Sequence, residues 1–163
     1  MTERSIRLFG DPVLKTPTSD IGAIDDRIRS LVQDLIDTVT IPGRAGVAAT
    51  QIGVGLRAFS YNIDGDIGYI LNPQLVEVSG EPKLLEEGCL SVPELWFATL
   101  RFPFARVTGI DLDGTPVELS GTGLMAQALQ HETDHLDGFL YIDKLDVPSR
   151  REAMKQIRES DWF

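Results

Sequence analysis

The strongest constraint on the fold of this 163-residue chain is the segment His131–His135, which contains both of its histidines. The segment falls within Leu124–Leu136, which we predict to be a helix, with Thr122 as its cap and Gly138 just after its end. Residues four apart lie on the same face of a helix, so both imidazoles can reach one metal ion. Glu132 lies between them and can act as a general base toward water at that ion.

The third ligand of such a site must be a cysteine or a carboxylate, because the chain has no further histidine. A catalytic tetrahedral metal ion takes three protein ligands and keeps one position open. Cys89 is the only cysteine, and Gly88 before it indicates a close backbone approach. A lone cysteine is most often a small buried apolar residue, but the sequence around Cys89 favours ligation. An acidic residue after the helix, such as Glu152, is the alternative ligand.

Composition and length limit the class of protein. Apolar residues make up 42% and charged residues 25% of the chain, and its length fits a single domain over residues 1–163. The net charge of −10 argues against DNA binding, since phosphate contacts need clustered Lys and Arg. No apolar run reaches the roughly 18 residues of a membrane span, and the N-terminus shows no signal peptide. The single cysteine excludes an internal disulfide and is typical of a cytoplasmic protein.

The hydrophobic pattern predicts an α+β fold. Ile24–Val39 has the apolar spacing of a helix with one buried face, and a last helix is expected from Ser149, in a capping box with Glu152. Short apolar runs between these helices predict antiparallel strands, with a hairpin at Asp64-Gly65. The predicted strands are Ala58–Ile63, Tyr69–Leu71, Leu75–Val78, Val107–Leu112 and Val117–Leu119. We expect mostly antiparallel sheets packed around a central helix that carries the histidines, with an N-terminal and a C-terminal helix.

Three segments together resemble the peptide deformylase family. The family motifs are Gly-x-Gly-Φ-Ala-Ala-x-Gln, Glu-Gly-Cys-Leu-Ser and Gln-His-Glu-x-Asp-His, where Φ is apolar. This chain has Gly46–Gln51, Glu87–Ser91 and Gln130–His135 in the same order and with similar spacing. The resemblance extends to Gly10–Leu14 and Asp111–Gly114, and so covers nearly the whole chain.

The resemblance implies a metal-dependent hydrolase that removes the formyl group from N-formylmethionyl nascent peptides at the ribosome and releases formate. It implies that Cys89, His131 and His135 bind one divalent ion, with Glu132 as general base. The native ion is expected to be Fe²⁺, and Zn²⁺, Ni²⁺ or Co²⁺ can substitute. Because a thiolate and Fe²⁺ are both open to oxidation, we expect the iron form to be oxygen-sensitive.

Further roles also follow from the resemblance. The side-chain amide of Gln51 and the backbone N–H of Leu90 are expected to stabilise the negative charge that develops on the formyl oxygen. The expected substrate-binding residues are Ala45, Gly46, Gly88, Leu124 and Ala128.

Three other interpretations remain open. A later carboxylate as third ligand would make the chain a different HExxH metallohydrolase. Cys89 activated by a histidine would make it a cysteine-nucleophile enzyme, which needs no metal. The third is a deformylase-like paralogue with altered substrate preference, weak activity or metal binding alone, and Arg44, in place of the first motif glycine, points to it. Trp96 likewise stands near a position where many members of the family have an arginine.

Overall fold

The computed structural model describes residues 3–163, and within them helices and strands follow one another in an α+β order. The α-helices are α1 (Asp26–Val39), α2 (Gly123–Leu136) and α3 (Val147–Glu159). The strands are β1 (Gly46–Ala48), β2 (Ala58–Ile63), β3 (Asp66–Ser79), β4 (Lys83–Cys89), β5 (Val92–Arg101), β6 (Phe104–Ile110) and β7 (Pro116–Thr122). Short 3₁₀ turns occupy Pro12–Lys15, Ala49–Ile52 and Tyr141–Lys144.

Five strands form one antiparallel sheet in the order β1-β2-β3-β6-β7. β2 and β3 form the predicted hairpin, which turns at Asp64-Gly65. Alternate residues of a strand face opposite sides of a sheet, so Phe59 and Ile70 pack toward α2, whereas Ala58 and Leu71 pack toward α1. One helix therefore covers each face, which confirms the α+β class and the packing of antiparallel strands around the helix with the histidines.

Helix α1 is positioned by an N-terminal cap and an apolar stripe. It follows Asp25, whose carboxylate accepts hydrogen bonds from the backbone N–H groups of Arg27 and Ile28, so the helix begins two residues after the predicted Ile24. The buried apolar side chains of the helix are Ile28, Leu31, Val32, Leu35 and Val39. Burial of each such side chain contributes about 1.5–3 kcal/mol, so packing on the sheet stabilises α1 more than its cap does.

The second sheet is the hairpin of β4 and β5, which the sequence analysis did not identify. Cys89 lies at the end of β4 and pairs with Val92 across the turn, after a register irregularity that follows Glu87. Val92 and Leu95 pack with the 3₁₀ turn Tyr141–Lys144 and with α3 in a separate apolar cluster. This cluster fixes the position of the turn that carries Cys89.

Some predicted strand boundaries are wrong. Tyr69–Leu71 and Leu75–Val78 belong to the single strand β3, because shifts in its register with β6 interrupt the alternation without ending the strand. The predicted strand Val107–Leu112 is displaced toward the C-terminus relative to β6. Strand β6 starts at Phe104 and ends at Ile110, before the turn at Asp113-Gly114.

The caps of two helices also differ from prediction. Helix α3 begins at Val147 rather than near Ser149, and its cap is Asp146, whose carboxylate accepts the backbone N–H of Ser149 at 2.8 Å. Thr122 occupies the cap position of α2, but its side chain makes no capping hydrogen bond. Gly138 follows the end of α2 as predicted, and it has a left-handed conformation with φ of 89°. No helix within residues 3–163 is long and apolar enough to cross a membrane.

Candidate metal centre and active site

Helix α2 and the end of β4 bring three ligand-type side chains together. The Sγ atom of Cys89 lies 3.3 Å from Nε2 of His135, and that nitrogen lies 3.2 Å from Nε2 of His131. All three atoms lie within 4.8 Å of one another. Glu152, the alternative ligand, is exposed on α3, where it accepts a hydrogen bond from Gln156. The structure thus places Cys89, and not Glu152, beside the histidines.

The spacing of this cluster fits one metal ion. Two nitrogen ligands about 2.0 Å from a tetrahedral ion lie about 3.3 Å apart, close to the spacing of the two Nε2 atoms. Although burial lowers the pKa of His131, hydrogen bonds to Cys89 and Glu87 raise it well above its usual range. Burial and the charge on His131 lower the pKa of His135 well below its usual range. The two imidazoles therefore do not both take up a proton readily, whereas the spacing of their Nε2 atoms fits a single metal ion.

A buried carboxylate orients His131 toward the other ligands. Nδ1 of His131 lies 2.7 Å from Oε2 of Glu87. Burial favours protonation of Glu87, but hydrogen bonds from Arg101 and His131 outweigh it and lower the pKa of Glu87 to about 2. The ionised carboxylate accepts the Nδ1–H proton, and this hydrogen bond directs the Nε2 atom of His131 toward Cys89 and His135. A metal ion bound there would displace the proton from Nε2 and take its lone pair.

Sequence reasoning gave no role to the polar residues behind this contact. Arg101 donates two hydrogen bonds to Glu87, at 2.9 and 2.6 Å, and a third to Asp134 at 2.7 Å. Glu87 and Asp134 lie inside the motifs that carried the family resemblance, so their roles could have been considered. Arg101 lies in no motif. The only feature of the sequence that could have drawn attention to it is its position on the inward-facing side of the alternating pattern of β5.

Glu132 is buried beside the ligand cluster and close to β1. Its Oε2 atom has no hydrogen-bond partner among the residues that the structure describes. Burial raises the pKa of Glu132 to about 7, a value suited to proton transfer near neutral pH. A Cβ atom on Gly46 would lie 2.7 Å from Oε1 of Glu132. The glycine of the first motif therefore leaves room for this carboxylate, a reason that the sequence did not reveal.

We expect Gly46→Ala to lower kcat by about 100-fold, because the added methyl group displaces the Glu132 carboxylate and small misplacements at a reacting group are costly. Turnover of a formylated peptide and bound metal per chain are the measurements. Gly55→Ala is the matched control, since a Cβ there meets no atom within 4 Å, and it should retain normal kcat. An unchanged kcat in Gly46→Ala would contradict this account of the contact.

The amide of Gln51 is held in one orientation. Its Oε1 accepts the backbone N–H of Ala48 at 3.0 Å, and its Nε2 lies 3.2 Å from the hydroxyl of Ser91 and 3.7 Å from Sγ of Cys89. The donor end of the amide therefore faces the ligand cluster. Leu90 follows Cys89 directly and lines the cavity beside the ligand cluster.

The cavity beside the cluster has a volume of about 550 Å³. His131 and Glu132 line one part of it, while Leu124 and Ala128, two turns and one turn earlier on α2, add apolar surface. All the residues expected to bind substrate line this cavity: Ala45, Gly46, Gly88, Leu124 and Ala128. The site therefore combines a cation-binding cluster, a buried carboxylate and an apolar recess.

The family model described as polypeptide deformylase matches residues 3–151. The chain belongs to the peptide deformylase family. It is 48% identical over 162 residues to the peptide deformylase of Acidothermus cellulolyticus, covering 99% of this chain and 89% of that one. It is 40% identical over 167 residues to peptide deformylase 1 of Corynebacterium efficiens, covering 100% and 99% of the two chains.

Solved structures of peptide deformylases have the same fold. The enzyme of Legionella pneumophila superposes with a TM-score of 0.90 at 35% identity, covering 97% of this chain and 95% of that one. The enzyme of Ehrlichia chaffeensis in complex with actinonin gives 0.89 at 32% identity, covering 99% of both chains. Peptide deformylases are metal-dependent, which contradicts a metal-free cysteine-nucleophile enzyme, and the family match contradicts a different class of HExxH hydrolase.

The sequence analysis noted Arg44 and Trp96 as departures from the family pattern, and the structure shows what each side chain contacts. Arg44 lines the cavity, but its Nη1 donates a hydrogen bond to the carbonyl of Thr38 at 3.0 Å. Thr38 lies in the last turn of α1, where a cation interacts favourably with the helix dipole. The guanidinium is thus held against α1, and Ala45 and Gly46 still face the cavity. Trp96 is largely exposed at the cavity rim.

Proposed function

We propose that this chain hydrolyses the formyl amide of N-formylmethionyl peptides, which yields formate and a free amino terminus. The observation that carries the proposal is the convergence of Cys89, His131 and His135 beside Glu132 at one end of an apolar cavity. Membership of the peptide deformylase family supports the same reaction.

Cys89, His131 and His135 would hold one divalent ion, which we propose to be Fe²⁺, with Zn²⁺, Ni²⁺ or Co²⁺ as possible substitutes. A thiolate and two imidazoles suit both Fe²⁺ and Zn²⁺ and leave the site a net charge of about +1. Such an ion, when bound, supplies the positive charge that lowers the pKa of water and polarises a carbonyl group. Glu87 keeps the Nε2 atom of His131 available as a ligand.

Glu132 is the proposed general base and acid. Its unpartnered Oε2 can accept a proton from water as the water attacks the formyl carbon, and the resulting carboxylic acid can donate that proton to the leaving amine. A carboxyl group with a pKa of about 7 can serve in both directions near neutral pH. Burial excludes bulk water from this proton transfer.

Gln51 and Leu90 are the proposed donors to the formyl oxygen. The oxygen gains negative charge during the attack, and donors fixed in advance stabilise it without reorganisation. The bond from Ala48 to Oε1 of Gln51 fixes the Nε2 donor toward the cluster. The backbone N–H of Leu90 adds a donor on the side of Cys89.

The apolar recess is the proposed site for the methionine side chain. Leu124 and Ala128 present apolar surface on the same face of α2 as His131. Ala45, Gly46 and Gly88 lack bulky side chains, so the peptide backbone can pass close to β1 and β4. Strand β1 is at an edge of its sheet, so one side of its backbone pairs with no strand among the described residues.

The test of the proposal is formate release from formyl-Met-Ala-Ser by anaerobically purified, Fe²⁺-loaded protein. We expect chelation to abolish turnover and re-added Fe²⁺ to restore it, because Cys89 alone cannot replace the ion. Cys89→Ala should lose both bound metal and turnover, since two imidazoles bind the ion weakly without the thiolate. Glu152→Gln is the control and should keep both. Rapid turnover by metal-free protein would refute the proposal.

We also propose that the substrate is the nascent chain at the ribosome, in the cytoplasm. The cations exposed on α3 are Arg150, Arg151, Lys155 and Arg158. Glu152 and Glu159 on the same helix make its charge mixed, which is typical of a solvated face rather than of an RNA-binding patch. The proposal therefore does not extend to RNA binding by α3.

A further inference from the structure

Trp96 has an unusual environment for a large aromatic side chain. It lies on β5, where Leu95, Thr99 and Arg101 face inward and are buried. Trp96 faces outward, with 65% of its surface exposed. The exposed ring also lines the cavity that contains the ligand cluster. Trp96 thus presents apolar surface at the rim of the site, where a bound ligand can contact it.

The indole is held against the backbone of β4. A Cβ atom on Gly88 would lie 2.6 Å from both Cε3 and Cζ3 of Trp96, so the ring packs directly over this glycine. Gly88 immediately precedes Cys89. One side of the ring is therefore fixed one residue from the proposed metal ligand, and the exposed side is free to contact a substrate.

The surroundings of Trp96 indicate the kind of side chain that fits there. Along the outer face of the hairpin, Leu84 and Leu100 form a cross-strand pair and are 67% and 55% exposed. Ala98 lies between this pair and Trp96 on the same face. This face thus carries the apolar side chains of Trp96, Ala98, Leu84 and Leu100, together with the exposed Glu86, which is the cross-strand partner of Ala98. Glu94, also exposed, lies two residues before Trp96.

We propose that Trp96 is a specificity-determining residue that binds side chains following formylmethionine and favours large apolar or aromatic ones. The inference rests on the proposed function, because it assumes that a formylated peptide occupies the cavity. The recess at Leu124 and Ala128 receives the methionine, and the next side chains of the peptide leave the cavity past its rim. There they stack on the free side of the indole, which also excludes water from them.

The experiment measures kcat/KM for formyl-Met-Phe-Phe, formyl-Met-Ser-Ser and formyl-Met-Lys-Lys. We expect the metal-loaded protein to favour the Phe-Phe peptide over the Ser-Ser peptide, and Trp96→Ala to lower that ratio by about two- to tenfold. Trp96→Phe should retain most of the preference, because it keeps an aromatic ring. Val147→Ala, which removes an apolar side chain that is 64% exposed on α3, is the matched control and should leave the ratio unchanged.

An unchanged Phe-Phe to Ser-Ser ratio in Trp96→Ala would overturn the inference while leaving the proposed function intact. If Trp96→Ala changed the kcat/KM ratio of the Lys-Lys peptide to the Ser-Ser peptide but not that of the Phe-Phe peptide, the apolar assignment would be overturned. Failure of the metal-loaded wild type to release formate from any peptide would instead refute the proposed function.

Tryptophan fluorescence tests the inference independently of turnover. The chain has two tryptophans, so Trp162→Phe leaves Trp96 as the only emitter. We expect the product peptide Met-Phe-Phe to shift its emission to shorter wavelength at lower concentration than Met-Ser-Ser does. No shift with Met-Phe-Phe, at concentrations that saturate its binding in calorimetry, would overturn the inference.

Discussion

Glu132→Gln is expected to lower kcat for formate release by about 100- to 10,000-fold, the usual contribution of a general acid or base. Glutamine has nearly the shape of glutamate but cannot accept a proton from water. The proposed ligands Cys89, His131 and His135 are unchanged, so the variant should bind as much metal as the wild type. The measurements are turnover of formyl-Met-Ala-Ser and metal content by elemental analysis.

The exposed Glu118 on β7 provides the control for this prediction. Glu118→Gln removes the same charge from a residue outside the cavity, so its kcat should match that of the wild type. A Glu132→Gln protein with full metal content and more than half of the wild-type kcat would contradict the assignment of Glu132. Loss of metal together with activity would show that Glu132 acts through the ion rather than as a base.

The histidine pair could be located from sequence because helical geometry is local. Two residues four apart share a face wherever the helix lies, so the proximity of His131 and His135 needs no knowledge of the fold. The position of Cys89 depends on the hairpin of β4 and β5 and on the packing of Val92. Sequence reasoning selected Cys89 from its residue type and from the family motif, but it could not supply that geometry.

The elements with strong periodicity or clear turn signals were predicted correctly. Helix α1 has a regular apolar stripe, helix α2 ends shortly before Gly138, and Asp64-Gly65 indicates a hairpin. The hairpin of β4 and β5 was missed because two of its inward-facing residues, Glu87 and Arg101, are charged and break the apolar alternation. The same ion pair that positions the site therefore hid the strands from a pattern based on hydrophobicity.

The caps of helices were harder to predict because several residues near a helix start can serve as the cap. Ser149 and Glu152 have the spacing of a capping box, yet Asp146 provides the side-chain acceptor, and Val147 and Pro148 form the first turn. Which residue caps the helix depends on where the preceding 3₁₀ turn, Tyr141–Lys144, directs the chain. That direction is set by tertiary packing, which short sequence patterns do not contain.

The buried pair of Arg101 and Glu87 gives the prediction with the largest effect on stability. Arg101→Met removes the three hydrogen bonds of the guanidinium and leaves Glu87 buried without its main counter-charge. We expect the free energy of unfolding to fall by about 3–5 kcal/mol, the usual cost of removing one partner of a buried ion pair. Chemical denaturation followed by circular dichroism, at equal metal occupancy, measures this loss.

The partly exposed Arg106 on β6 is the matched control, since it also pairs with two carboxylates, those of Glu77 and Glu118. Arg106→Met should leave the unfolding transition nearly unchanged, because water screens exposed pairs and replaces their hydrogen bonds. If Arg101→Met were equally mild, the contact between Glu87 and Arg101 would not stabilise the fold.

The double variant Glu87→Gln and Arg101→Met separates the loss of the pair from the penalty of an unpaired charge. It should be less destabilised than the sum of the two single changes predicts, because no buried carboxylate is then left without its arginine.

We also expect Arg101→Met to bind metal about 10- to 100-fold more weakly than the wild type, since Glu87 would no longer be held ionised against His131. Unaltered metal affinity in a destabilised Arg101→Met protein would confine the role of Arg101 to folding.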